Sequence, residues 1–107
     1  MADIIHMIRT NIKSNHIQIE NLCKSIFSNI DNISYEIRDK KISVLHLDPK
    51  NSDSASIEFT EDNGTFKIIY WDGYSLAEEF KTTDIKTALK NFKRFSKKLY
   101  KNLKKFS

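Results

Sequence analysis

The side chains of this chain that could bind a metal or transfer a proton are three histidines, one cysteine and fourteen acids. His16 and Cys23 are seven residues apart on one helical face, which separates them by about 10 Å along the helix axis. That distance is too long for both to bind one metal ion without other ligands. His6 and His46 have no partner at ligand spacing. We therefore predict no metal site and no cofactor, with Cys23 as a small buried apolar residue.

General acid–base catalysis would need a histidine and a carboxylate brought together by the fold. His46 with Glu58 or Glu36 would be such a pair, of the kind that some small ribonucleases use. Pairs of this kind arise in any chain of this length with as many acids. The sequence has no Gly-rich phosphate loop, no nucleophile elbow and no Cys-His signature. We therefore predict a binding protein rather than an enzyme.

The end of the chain predicts one long amphipathic helix, from Thr82 to Phe106. Thr83 is the predicted N-cap, and Asp84 lies where the helix macrodipole favours an acid. Apolar residues at steps of three, four or seven predict a buried face, made of Ile85, Ala88, Leu89, Phe92, Phe95, Leu99, Leu103 and Phe106. The other side carries the cations Lys86, Lys90, Lys93, Arg94, Lys97, Lys98, Lys101, Lys104 and Lys105.

Charge divides the chain into two unequal parts. From Lys81 onward there are ten Lys or Arg and one acid, a net +9, whereas the residues before it carry eight basic and thirteen acidic residues, a net −5. The acids concentrate between Asp48 and Glu79. Such asymmetry concerns the choice of partner and the rate of association rather than the fold.

Length and composition predict one domain spanning residues 1–107. No run approaches the roughly 20 apolar residues that a membrane span needs, so we expect a soluble protein with no membrane partner. The first residues show no secretory-signal pattern, and a single cysteine can form no internal disulfide, so the expected compartment is the cytoplasm. The sequence leaves the oligomeric state open.

The period of the apolar residues changes near residue 31. From Ala2 to about Asn29 it predicts a helix, although a capping pair of Asn15 and Gln18 would split this stretch into two shorter helices near Ser14. After that the period is two, which predicts strands. A hairpin turns at residues 39–40, and a polar loop follows over residues 48–54.

Two turn signals predict the register of the last three strands. Asn63-Gly64 predicts a type I′ turn that pairs Phe59 with Ile68. Asp72-Gly73 predicts a second one, which pairs Ile69 with Leu76. One face of the sheet then carries the predicted core residues Ile57, Phe59, Phe66, Ile68, Tyr70 and Ala77. The opposite face carries Glu58, Thr60, Lys67, Ile69, Trp71, Tyr74, Leu76 and Glu78.

The expected architecture is therefore α+β, with an N-terminal helix, an antiparallel meander of about five strands and a long C-terminal helix, both helices on one face of the sheet. The second face holds large apolar residues where polar ones would be expected. Tryptophan and tyrosine are enriched in interface hot spots, and nearby acids attract a basic partner. This face is the predicted partner-binding site, composed of Glu58, Ile69, Trp71, Asp72, Tyr74, Leu76, Glu78 and Glu79.

The basic helix supports an alternative function, RNA or DNA binding. Its residues would be Lys93, Arg94, Lys97, Lys101 and Lys104. The order helix, strands, helix with a lysine-rich last helix resembles a double-stranded-RNA-binding domain. That family has three strands, a Gly-Pro-x-His loop and a lysine cluster at the start of its second helix, none of which is matched here. The resemblance therefore carries over no residue.

The high content of Asn, Ile, Lys and Ser is typical of a protein encoded by an AT-rich gene. A small chain of this composition, without catalytic motifs and with an acidic surface holding aromatic anchors, resembles the immunity proteins of bacterial toxin systems, including contact-dependent growth inhibition. That resemblance implies an antitoxin that binds a cognate toxin domain, often a nuclease, by stoichiometric occlusion. It implies Trp71 and Tyr74 as apolar anchors, and Glu58, Asp72, Glu78 and Glu79 as groups that mimic phosphate. Turn chemistry is an alternative role for Asp62 and Asp72.

Overall fold

Five antiparallel strands in meander order, covered on one face by two helices, form the computed structural model, which describes residues 11–47 and 54–105. A 3-10 turn at Lys13–Asn15 leads into α1, His16–Phe27. The strands are β1 Ile33–Ile37, β2 Lys41–His46, β3 Ser56–Asp62, β4 Thr65–Trp71 and β5 Leu76–Thr82. The last element is α2, Ile85–Lys105. The α+β prediction is confirmed.

The turn between β3 and β4 has the predicted conformation. Asn63 and Gly64 both have positive φ, 49° and 78°, as a type I′ turn requires. Asp62 pairs with Thr65 and Phe59 pairs with Ile68. The predicted β3–β4 register is therefore confirmed.

The turn between β4 and β5 differs from its prediction. Strand β5 begins at Leu76, which pairs with Trp71, and Ile69 pairs with Glu79 instead of Leu76. The cause is a four-residue loop, in which the Asp72 carboxylate accepts hydrogen bonds from the backbone N–H groups of Tyr74 and Ser75, each at 2.9 Å. A register irregularity follows between Tyr70 and Trp71.

This shift corrects two predicted positions. A displacement by an odd number of residues moves side chains to the opposite face of a strand, because the side-chain period of a strand is two. Ala77, predicted in the core, is exposed. Glu78, predicted on the outer face, lies on the face that the helices cover, where Phe80 joins the core two residues later.

The core lies between the sheet and the two helices. Its strand residues alternate as predicted, and those fully or almost fully buried are Ile42, Val44, Ile57, Phe59, Phe66, Ile68 and Tyr70. Helix α2 lies over β3, β4 and β5, and α1 contacts β1 and α2. The Phe59 and Phe92 rings, with centroids 5.4 Å apart, join the sheet to α2. The face predicted to carry the core thus carries it.

Helix α2 buries the predicted face but is capped by a different residue. Ile85, Ala88, Phe92, Phe95 and Leu99 are buried. The cap is Asp84 rather than Thr83, because its carboxylate accepts hydrogen bonds from the N–H and the hydroxyl of Thr87. Phe106 lies outside the described residues.

The first helix is shorter than predicted. Residues 11–12 bend and residues 13–15 form the 3-10 turn, so one continuous helix to Asn29 is wrong and a break near Ser14 is found. Asn15 makes no side-chain cap bond to the helix, and its amide donates to the Asn11 carbonyl at 2.8 Å instead. The predicted helical residues 2–10 and the loop residues 48–53 lie outside the described residues.

Candidate functional site

The sheet face turned away from the helices, here called the outer face, is organised in rows across the strands. The first, the apolar row, runs along residues that pair from strand to strand: Ser34, Leu45, Ser56, Trp71 and Leu76. Trp71 follows the buried Tyr70, so strand alternation directs its indole to the outer face. The predicted orientation of Trp71, away from the helices, is therefore confirmed.

Solvent reaches the large side chains at this end of the sheet. Tyr74 is 85% exposed, Leu76 is 51% exposed, and Leu45 is 36% exposed. Trp71 is partly exposed between them. Scattered apolar side chains are normal on a protein surface, but here Trp71 lies beside Leu76, with Tyr74 in the adjoining loop and Leu45 two strands away in the same row, which groups large apolar side chains at one end of the face.

The next row is acidic, and the one after it is basic. The acidic row consists of Glu36, Ser43, Glu58, Ile69 and Glu79. The basic row consists of Lys41, Thr60, Lys67 and Lys81. Since the acidic and basic rows lie two residues apart along the strands, unlike charges are side by side.

Salt bridges join the two charged rows. Lys41 lies 3.3 Å from Glu58, and Lys81 lies 3.8 Å from Glu79. Glu36 forms a salt bridge with Arg38. Both residues, with Lys41 and Ser43, line a cavity of about 220 Å³. Exposed pairs of this kind contribute only about 0–1 kcal/mol each. They do, however, neutralise much of the negative charge on this face.

Glu78 takes part in a different set of contacts. Its carboxylate oxygen Oε2 lies 2.7 Å from Arg94 Nη2, and Lys98 Nζ donates a hydrogen bond to Oε1. These hydrogen bonds, that of Arg94 first, lower the pKa of Glu78. The carboxylate therefore joins β5 to α2, and its predicted place in the partner-binding face is corrected.

Asp72 likewise has a local role. Hydrogen bonds from the Ser75 and Tyr74 backbone N–H groups lower the pKa of its carboxyl group. The carboxylate organises the loop that presents Tyr74, which is the turn role that the sequence left open.

The outer face thus brings together most, but not all, of the predicted partner-binding residues. Those that share it are Glu58, Ile69, Trp71, Leu76 and Glu79, with Tyr74 at its edge. Leu45 was missed. Its place opposite Ser56, which pairs with Trp71, could have been found by extending the registers from β4 back to β2.

The residues predicted for nucleic-acid binding lie on α2, on the side away from the sheet. Lys93, Lys97, Lys101 and Lys104 are exposed and share one side of the helix. Arg94 lies to one side of them on the helix. Its guanidinium forms a salt bridge with Glu78, and the guanidinium carbon Cζ lies 4.6 Å from the Phe95 ring centroid.

The histidine–carboxylate pairs considered for acid–base catalysis are separated by the sheet. His46 continues the inward alternation of Ile42 and Val44, whereas Glu36 and Glu58 belong to the outer face. Cys23 is 1% exposed, and burial, with a smaller effect of Glu20, raises its pKa to about 11. Its predicted burial is confirmed, and its thiol is neutral at physiological pH.

Within residues 11–47 and 54–105, no group of three or more His, Cys, Asp or Glu is arranged to hold a metal ion. Neither helix in that part of the chain combines the length and apolar character required to span a bilayer.

Comparisons with protein-family models, curated proteins and solved structures found no match for this chain.

Proposed function

We propose that this protein is an immunity protein that binds a cognate toxin domain through the outer face and neutralises it by stoichiometric occlusion. The observation that carries the proposal is the apolar row, in which Trp71 and Leu76 are accessible to solvent beside the exposed Tyr74. Buried aromatic side chains contribute much of the affinity of protein interfaces, provided that a partner can enclose them.

The charges around the apolar row define the surface expected on the partner. Glu58 and Glu79 lie in the next row, and both are more than a third exposed. An apolar pocket rimmed by basic residues fits this arrangement, since opposite charges at the rim steer association. A nuclease domain, whose site attracts phosphate, has such a basic rim.

The protein acts without catalysis in this proposal. The partner is held by the apolar anchors, and its active site or its access to substrate is blocked. Glu58 and Glu79 are the acids of the outer face that mimic phosphate in this proposal. Their salt bridges to Lys41 and Lys81 are exposed and therefore weak, whereas the Asp72 carboxylate organises its own loop and that of Glu78 is bonded to α2.

The first test is growth rescue. The chain is co-expressed in a bacterial host with a candidate toxin domain, chosen from a reading frame directly upstream of its gene if that frame encodes a large secreted protein. The unmodified protein is expected to restore growth, and the double variant Trp71→Ala/Leu76→Ala is expected to lose rescue. Removing two anchors of an interface costs about 2 kcal/mol or more each, which weakens binding at least several-hundredfold.

A matched control is available on the other side of the sheet. Ile17 of α1 is 78% exposed, so Ile17→Ala removes an apolar side chain of similar size without touching the outer face. This control is expected to rescue growth fully. Rescue by the double variant at the level of the control contradicts the outer-face site, and failure of the unmodified protein to relieve toxicity contradicts the immunity function.

A further inference from the structure

The exposed side of α2 carries a line of cations that the proposed function does not use. Its lysines recur at steps of four and three residues: Lys86, Lys90, Lys93, Lys97, Lys101 and Lys104. At 3.6 residues per turn these positions fall within about 80° of the helix circumference, and they span about 27 Å along the axis. We call this line the lysine stripe. All six residues are exposed.

Within residues 11–47 and 54–105, no acid neutralises the central part of the lysine stripe. Helix α2 contains no acid between Ile85 and Lys105. Of the helix cations, the flanking Arg94 and Lys98 are those that bind Glu78. For Lys90, Lys93, Lys97 and Lys101, the described residues provide no salt bridge, so four adjacent charges repel one another along the helix.

We infer that the lysine stripe binds the sugar–phosphate backbone of double-stranded nucleic acid, without reading its sequence. A rigid row of point charges fits a ligand whose own charges repeat at short intervals along a stiff axis, and a duplex carries one negative charge per about 1.7 Å. Lysines that contact phosphates release counterions, which supplies the affinity of such binding. The inference stands on a different element from the outer face and goes beyond the immunity function.

The surroundings of the stripe argue against other polyanions. A membrane-surface helix inserts its apolar side chains into the bilayer, but Phe92, Phe95 and Leu99 are fully buried in the core. An acidic protein partner would require an anchor, since lysine is depleted from the centres of protein interfaces. Single strands are held by stacking on aromatic side chains, and the six positions of the stripe are all lysine.

Fluorescence anisotropy with labelled duplexes of about 20 base pairs, one of DNA and one of RNA, tests the inference over a range of KCl concentrations. For the unmodified protein, the slope of log K against log[KCl] is expected to be about −3 or steeper, since each phosphate contact contributes about −0.9. The variant Lys93→Gln/Lys97→Gln/Lys101→Gln is expected to bind at least tenfold more weakly at about 0.1 M KCl, with a slope shallower by nearly three.

Two control variants isolate the geometry from the net charge. Lys40→Gln/Lys67→Gln/Lys81→Gln removes the same charge from exposed or half-buried positions off α2 and is expected to bind within about threefold of the unmodified protein. Lys93→Arg/Lys97→Arg/Lys101→Arg keeps the charge and is expected to retain binding. Circular dichroism verifies that each variant is folded, as expected for exposed positions where Gln and Lys have similar helix propensity.

Four results would overturn the inference. The first is no binding to either duplex at about 0.05 M KCl, and the second is equal weakening of duplex binding by the stripe and control variants. The third is tighter binding to a single strand than to the duplex. The fourth is stripe-dependent binding to phosphatidylserine vesicles or polyglutamate without binding to a duplex. Since no toxin takes part, the outcome is independent of the growth-rescue test.

Discussion

Glu78 was predicted to bind a partner, but in the structure its side chain holds two elements of the fold together. Its carboxylate joins β5 to α2 through Arg94 and Lys98 and is about 30% exposed. Glu78→Gln removes the charge and keeps the shape, so at pH 7 we expect the free energy of unfolding to fall by about 1 kcal/mol, as for a partly screened ion pair. Urea denaturation measures this difference.

The pH dependence of that difference has a definite sign. The folded protein lowers the pKa of Glu78 from its ordinary value of 4.5, so the stabilisation is complete above that value and is lost as the pH falls through the lowered pKa. The unmodified protein and Glu78→Gln should therefore converge in stability in acid. The matched control, Glu79→Gln, removes an acid 3.8 Å from Lys81 and is expected to change stability by less than about 0.5 kcal/mol. Equal effects of the two substitutions would contradict the role of Glu78.

Neighbouring acids also mark where sequence reasoning reaches its limit. Glu78 and Glu79 are chemically alike, and a displacement of the register by an odd number of residues exchanges their faces. The predicted register put Glu78 outside, but the loop bonds of Asp72 placed Glu79 there. The face of Trp71 was predicted correctly, because the register of its strand is set by the β3–β4 turn, and the sequence signal for that turn was correct.

The β3–β4 turn is the element on which the outer face depends. Gly64 has φ +78°, and a Cβ built at this position meets no atom within 4 Å, so the backbone conformation rather than space requires glycine. Gly64→Ala is expected to lower the free energy of unfolding by about 1–2 kcal/mol, the cost of a left-handed alanine. Gly64→Asn is the control, because asparagine tolerates this conformation and should lose less. Chemical denaturation of the three proteins checks the order, and equal losses would contradict the backbone explanation.

At the element scale the sequence predicted most of the fold, because the apolar periods of α2 and of strands β2 to β4 were unambiguous. The buried face of α2 and the alternation in β2, β3 and β4 follow directly from the spacing of apolar residues. The sequence missed features set by side-chain hydrogen bonds, namely the Asp84 cap and the Asp72 loop. In both places an adjacent residue offered equally plausible turn chemistry, Thr83 in one and Gly73 in the other.

The whole molecule presents two surfaces of different chemistry on opposite sides. The outer face is apolar at one end and nearly charge-balanced elsewhere, whereas the lysine stripe is strongly basic. Between them lie the sheet, the core and α2, whose diameter with side chains is about 10–12 Å. The basic end of the sequence therefore becomes, in space, one strongly charged side of α2, whereas the outer face is nearly charge-balanced. A ligand on one side need not displace a ligand on the other.

Trp71 is the only tryptophan of the chain and so reports on one of these surfaces alone. A toxin domain docked on the outer face removes water from the indole, and its emission should shift to shorter wavelength. A duplex bound along the lysine stripe lies at least about 10 Å away, beyond α2 and the sheet, and should leave the emission maximum unchanged while the anisotropy of the labelled duplex rises. Trp71→Phe identifies any signal that comes from a tryptophan of the partner. A duplex-induced shift of the Trp71 emission, abolished by Trp71→Phe, would show that nucleic acid reaches the outer face and that the two surfaces are not independent.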